Sequence, residues 1–508
     1  MRFLTTPLIA LAVFLAAVAS PVIAQPASTA TPSASLDLSC SGSVHSQAVS
    51  LWEHSLRSYF TKQIADGLNK EGDVYVLYNT QEELQPFVEM TRRCKDRQQI
   101  AELVAVLAPV FSSLRPLPDA PATLGWICTG GHTCTPANHL LGKEVQLCSA
   151  QFLGLIGALA TDIVEVIPAA QRTETEKAFV ANTATAIATQ VDNWFSPTYF
   201  NGVNARLRMT PADAKDGLSI YFFEDRDLWF LTSLADLAEL HQAGVVLNSE
   251  GLKAFKSMQA KRAQIGSLFN LFLARTVVAN TSNGPRAEID RGYERNYGDS
   301  KYAAYSAAVS PVLCQKNTLG LMQKTFRVEN KASYIDPNLG WDISHARRLV
   351  PALDTFTRNQ SNLATVFGYR YPSFDPARLQ RAFANQIVDV IWNKDEHYPL
   401  FSNFWDGSNG WYRAGYDNGT GSCRPGEAPY SLAWSFPTGS YPQWGALNST
   451  IRALNLQLYA LFNSTDPKAQ EFVSKYYPSL KDPGTPNSSQ GSTHDIWSLA
   501  FLSSMTGT

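Results

Sequence analysis

Residues 286–303 hold three Arg, one Lys, two Glu, two Asp, three Tyr and Asn296. About forty residues on, 340–349 reads Gly-Trp-Asp-Ile-Ser-His-Ala-Arg-Arg-Leu. These residue types suit removal of a proton beside a carboxylate. Such a reaction needs a cation or amide to take up the carboxylate charge, a base for the carbon-bound proton, and an acid for the leaving oxygen. Arg291, Arg295, Asn296, Tyr297 and Tyr302 supply those types within twelve positions. A phenol becomes a usable base where guanidinium groups favour the phenolate. Tyr297, between Asn296 and Gly298, has a turn-like setting that would expose its hydroxyl. In the second cluster a helix starting at Asp342 or Ser344 sets Asp342, His345 and Arg348 three residues apart on one face, so that Asp342 can orient His345. The two stretches are expected to face each other across a cleft. The competing reading is a solvated loop and a charged helix face.

Residues 396–416 carry three Tyr, two Trp, two Phe, two Asn, a His and an Arg. Aromatic planes pack on the C–H faces of pyranose rings, and interleaved polar groups pair with their hydroxyls. Trp405, Trp411, Tyr412 and Arg413 are therefore expected at a sugar, although half of such aromatics belong to a core beneath the loop. Trp434, Tyr441 and Trp444 continue the pattern. Carboxylates offer a second chemistry, since Glu224, Asp225, Asp227, Glu288 and Asp290 could furnish the acid and base of a glycoside hydrolase. No G-x-S-x-G, H-E-x-x-H or Walker A motif is present, nor a G-x-G-x-x-G in a βαβ setting. That argues against a serine hydrolase, zincin, nucleotidase or dehydrogenase.

The elements that must position these residues are helices. Three- and four-residue apolar spacing marks helices over 43–64, 81–93, 96–114, 143–166, 173–195, 225–243, 249–278, 344–359, 375–392, 444–463, 466–476 and 493–504. Strand patterns are confined to 73–78 and 219–223, and 395–443 reads as a long structured loop. A dozen helices with uneven, decorated loops predict a mostly α protein, an (α/α) toroid or incomplete barrel of helix pairs, as one domain over 39–508. An α-solenoid is disfavoured by the absence of a fixed repeat length. Residues 1–24 read as a secretory signal peptide and 25–38 as a disordered lead-in.

The 508 residues have a formal net charge of −2 and are 17 % charged, which gives no general affinity for nucleic acid or a membrane surface. An anionic partner therefore requires a local basic pocket. Seven cysteines suit an exported chain with two or three disulfides and at least one unpaired thiol. A zinc set of Cys128, His132, Cys134 and His139 lacks the paired C-x2-C spacing, so no metal or cofactor is expected. Six N-x-S/T sequons, at Asn280, Asn359, Asn418, Asn448, Asn463 and Asn487, would mark exposed loops.

Through 291–297 (Arg-Gly-Tyr-Glu-Arg-Asn-Tyr), 340–348, the signal peptide and the helical patterning of most of the chain, the sequence resembles secreted (α/α)-toroid polysaccharide lyases. The alginate- and glucuronan-cleaving families built around a catalytic tyrosine are the nearest. The resemblance implies Tyr297 as base and acid, with Arg291, Asn296 and His345 around the substrate carboxylate. Arg295, Tyr302, Arg348 and the aromatic-loop residues would bind the acidic polysaccharide. The chain departs from the toroid-plus-β-sandwich lyases in having no long β-rich C-terminal half. Beside this reading stand a glycoside hydrolase on the same toroid and a non-catalytic carbohydrate-binding protein.

Overall fold

A helix whose sequence is apolar almost all round, Gln146–Val166, lies at the centre of the helical packing. The computed structural model describes residues 36–215, 217–369, 375–415 and 423–508. The expected signal peptide and most of the lead-in lie outside these residues, as does the Asn418 sequon. Helix Gln146–Val166 buries every side chain from Cys148 to Ile163. It is long and apolar enough to cross a bilayer, but 89 % of its apolar window is packed inside the protein. A helix without a polar face is a core helix when neighbours cover it on all sides.

Those neighbours follow one another laterally. Tyr75–Arg93 packs on one side of Gln146–Val166 and Asp225–Gln242 on the other. Asp225–Gln242 then packs on Leu349–Phe367, and that helix on Pro376–Gln386. On the far side Tyr75–Arg93 meets the C-terminal helix Thr493–Met505. Gly154 permits the close approach of two of these helices, because a Cβ there would stand 2.4 Å from the ring of Trp229. Arg97–Leu107, Glu174–Trp194 and Ser249–Ala260 form outer contacts. Thr173 caps Glu174–Trp194 by accepting from the Glu176 N–H while Glu176 bonds back to Thr173.

Asp37–Thr508 is one compact unit. Its N-terminal edge takes in part of the expected lead-in, since Leu38 is buried and its carbonyl accepts from the Gly507 N–H at 2.7 Å. Three antiparallel hairpins decorate the helices: Arg115–Leu117 with Ala120–Gly125, Thr276–Thr281 with Gly284–Ile289, and Val312–Lys316 with Met322–Phe326. The strand expected over 73–78 is instead the start of helix Tyr75–Arg93. Asp73 accepts from the Tyr75 N–H at 3.0 Å and begins the helix, and a short apolar run carries too little periodicity to separate the two states. The helix expected over 249–278 is two helices, Ser249–Ala260 and Arg262–Arg275, followed by a strand. Residues 219–223 contain a 3₁₀ turn rather than a strand.

Cys40–Cys94, Cys128–Cys134 and Cys314–Cys423 are disulfides, and Cys148 is a buried thiol. The Cys128 and Cys134 sulfurs are thus consumed by each other, which removes the zinc set. Asn359 is fully buried within its helix, so this sequon does not mark an exposed loop.

Candidate functional site

The two polar stretches lie against each other. The Gly292 N–H donates to the carbonyls of Asn338 and Leu339 at 3.0 and 2.9 Å, and the Glu294 N–H to Leu339 at 3.3 Å. Gly340 makes this contact possible, since a Cβ there would stand 2.3 Å from the carbonyl oxygen of Ile289. Asp290, left-handed at φ 55°, is fully buried. It accepts from Arg275 at 2.5 Å and from the Phe223 N–H at 3.0 Å, which pins residues 223–225 beside the first stretch. The aromatic loop closes over the same place. Tyr302 and Trp411 form an isolated β-bridge, and the Arg413 N–H donates to the Asp299 carbonyl at 2.9 Å. Asn403, buried at the root of the loop, donates to Gly410 and Ala428 and accepts from the Leu432 N–H.

These contacts border an open cleft of about 740 Å³, part of it continuous with solvent. Its chemistry-bearing walls are Glu224, Asp225, Glu294, Asp299, Asp342, His345, Tyr297, Tyr412 and Arg413, with Phe222, Phe223 and Trp341 beneath. Asp342 caps the short helix Ile343–Ala346, accepting from the Ser344 and His345 N–H groups at 2.8 and 3.0 Å. Its other oxygen meets His345 Nδ1 at 2.6 Å. Burial opposes the charge on Asp342, but His345 and Ser344 outweigh it and hold the carboxyl well below the usual carboxylate range. With Nδ1 engaged, Nε2 is the ring nitrogen left for the cleft.

Four of the five carboxylates have a cation or imidazole partner. Glu224 pairs with Arg226 at 2.5 Å, Asp225 with Arg348 at 3.4 Å, Asp299 with Arg413 at 3.7 Å, and Asp342 with His345. Glu294 has no ion pair among the described residues. Its burial, reinforced by Asp290, Asp342, Asp225 and Asp299, pushes its carboxyl far above the usual range. That shift favours its protonated form, and the carboxyl lines the cleft. Burial, then the charge of Asp342, also raises the Tyr412 phenol, so that ring remains protonated; its oxygen accepts from Arg413 Nε at 3.0 Å.

Of the residues expected from sequence, the cleft gathers Tyr297, His345, Tyr412 and Arg413. Tyr297 stands edge-on to Phe222, with ring centroids 5.3 Å apart. Arg348 lies just behind, buried, bonding Asp225 of the wall and the Tyr78 hydroxyl at 2.8 Å. Asn296 is a staple: its amide donates to the Ala214 carbonyl at 2.7 Å. Arg291 is exposed and turned to Glu288 and Asn338, and neither it nor Arg295 lines the cleft. Tyr302 is buried against Val312 and Trp411. Trp405 and Trp411 are core side chains, their indole N–H groups donating to Ala287 and Ala307 at 3.0 and 2.7 Å. Among the carboxylates considered, Asp227 and Asp290 are buried partners of Arg206 and Arg275, and Glu288 faces Arg291. Glu294 and Asp299 were not singled out by sequence. Their membership of the polar stretch was the available signal, and spacing did not separate them from Glu288 and Asp290.

Comparison with protein-family models, with curated proteins and with solved structures finds no match for this chain.

Proposed function

We propose that the protein is a carbon–oxygen lyase that cleaves a uronic-acid-containing polysaccharide by β-elimination, and that its successively packed helices form an (α/α) toroid. The observation that carries the reading is the Asp342–His345 contact of 2.6 Å on the wall of a cleft that also holds Tyr297, Arg413 and Glu294. A carboxylate on Nδ1 fixes the imidazole's orientation and stabilises the imidazolium formed when Nε2 takes a proton. His345 then removes the proton on C5. The C5–H electrons form the C4–C5 double bond as the C4–O4 bond breaks, and Tyr297 protonates the departing O4. Arg413 and the Glu294 O–H take up the charge that builds on the C6 carboxylate. An anionic chain also has a place to run. Lys301, Lys324 and Lys331 line an adjoining cavity of about 570 Å³ that shares Asp299 with the cleft.

A second reading, glycoside hydrolysis, is favoured by one specific observation, the upward-shifted carboxyl of Glu294 lining the same cleft as Asp225. A general acid and a carboxylate on either side of a glycosidic bond are the requirements of that chemistry. Incubation with alginate, polyglucuronate, pectate and hyaluronan separates the two. Elimination produces unsaturated uronate ends that absorb in the ultraviolet, whereas hydrolysis produces reducing ends without that absorbance. Ultraviolet-absorbing product that is lost in His345→Ala supports the lyase. Reducing ends alone, lost in Glu294→Gln, would replace it with the hydrolase.

A further inference from the structure

The chain has eleven tryptophans, and nine of them are buried. The two that remain half-buried, Trp434 and Trp497, are in contact with each other, with ring centroids 5.5 Å apart and planes tilted by 48°. They line one cavity of about 470 Å³ with Thr438, Pro478, Ser479, Leu480 and Tyr477. No charged side chain lines it. Among the described residues neither indole N–H has a hydrogen-bond partner; the buried Trp229 and Trp444 also lack one, but only Trp434 and Trp497 are open enough to offer theirs to a ligand. A partly exposed, tilted indole pair with two unused donors and the nearby Ser479 hydroxyl offers apolar faces and hydrogen-bonding edges together. A pyranose ring presents the complement, with axial C–H groups on its faces and hydroxyls around its rim.

We propose that Trp434 and Trp497 form a sugar-stacking subsite outside the catalytic cleft, which grips a pyranose ring of a glycan. The subsite is joined to the cleft by adjacent side chains. The Arg347 guanidinium stands 6.0 Å from the Trp434 ring, and Thr438 lines both the indole cavity and a small polar pocket with Arg347 and Arg348. Arg348 in turn bonds Asp225 of the cleft wall. That the ring belongs to the cleft's own substrate rests on the lyase reading; that the pocket takes a sugar does not.

The test titrates the full-length protein with hexasaccharides from alginate, polyglucuronate, polygalacturonate and cellulose, reading indole emission and protection from N-bromosuccinimide. The expected result is that at least one hexasaccharide shifts the emission and protects two tryptophans from oxidation. Trp434→Ala and Trp497→Ala each weaken that hexasaccharide by about tenfold or more, the ratio set by 1.4 kcal/mol of lost stacking. Protection of the wild-type protein gives the answer even where an alanine variant fails to fold. Unprotected tryptophans with every hexasaccharide, protection by an apolar dye alone, or unchanged binding by folded variants would each overturn the subsite. Unsaturated ends formed without tryptophan protection would overturn it and leave the lyase standing. Tryptophan protection without unsaturated ends would do the reverse.

Discussion

Asp342→Asn probes the arrangement at its most informative atom. The native carboxylate has two tasks divided between its oxygens: one caps Ile343–Ala346 through the Ser344 and His345 N–H groups, and the other meets His345 Nδ1 at 2.6 Å. An asparagine keeps a carbonyl oxygen for the cap, and Asn and Asp are near-equal caps, so the fold should be retained. Its amide, however, presents N–H to Nδ1. The imidazole must then turn its acceptor nitrogen to the amide and carry its proton on Nε2, where it cannot act as a base. Loss of a hydrogen bond to a charged group, about 1.5–3 kcal/mol, sets a floor of roughly 10- to 150-fold in rate. The wrong tautomer can raise this to about 10⁴-fold, as with the aspartate of a serine-protease triad. The expected outcome is a kcat lowered by about 10² to 10⁴, read from initial rates of unsaturated-end formation, with an unchanged melting transition. Asp342→Asn combined with His345→Ala should be no slower than His345→Ala alone, because the aspartate acts only through the ring. A folded Asp342→Asn enzyme with wild-type rate, or a double variant slowed by the product of the two effects, would refute the dyad.

Four further outcomes follow. Glu294→Gln should cost at least about 10²-fold in activity if the carboxyl transfers a proton, and tenfold or less if it only donates a hydrogen bond. The same variant should melt above the wild type by a margin that grows from pH 5 to pH 8, because only the wild type has a carboxyl that holds its proton when folded and releases it when unfolded. The wild type should itself lose stability over that interval. Burial raises Glu89 and Glu239 to about 7 and Glu83 to about 8, so the folded state holds more protons than the unfolded chain and stability falls as pH rises through that window. A melting temperature that climbs from pH 5 to pH 8 would contradict this. Finally, burial pushes the Cys148 thiol up to about 12, so a disulfide-exchange reagent should find no thiol in the native protein and one after denaturation.

The helical layout was legible because apolar spacing at three and four residues survives in many helices, including Pro376–Gln386 and Leu349–Phe367. The hairpin Thr276–Ile289 was not, because its first strand continues a helical stretch without a break in polarity. The two polar stretches were legible as a site in outline. What sequence could not assign was the partner of each charge. Asp290 and Asp227 are spent on Arg275 and Arg206, which lie 15 and 21 residues away along the chain, and Glu294 is the carboxyl left without a cation. Nor did the aromatic loop declare which rings face inward: Trp405 and Trp411 fill the core, while Tyr412 and Arg413 beside them reach the cleft. Trp434 was read as a continuation of that loop, and its partner Trp497 comes from the C-terminal helix, a pairing that only the tertiary fold creates.

The most direct measurement is ultraviolet absorbance during incubation of the purified protein with the four acidic polymers, wild type beside His345→Ala. The account predicts a steady rise on at least one polymer that His345→Ala abolishes while its melting transition stays in place. No rise on any polymer, with new reducing ends in its stead, or a rise that a folded His345→Ala enzyme sustains undiminished, would contradict it.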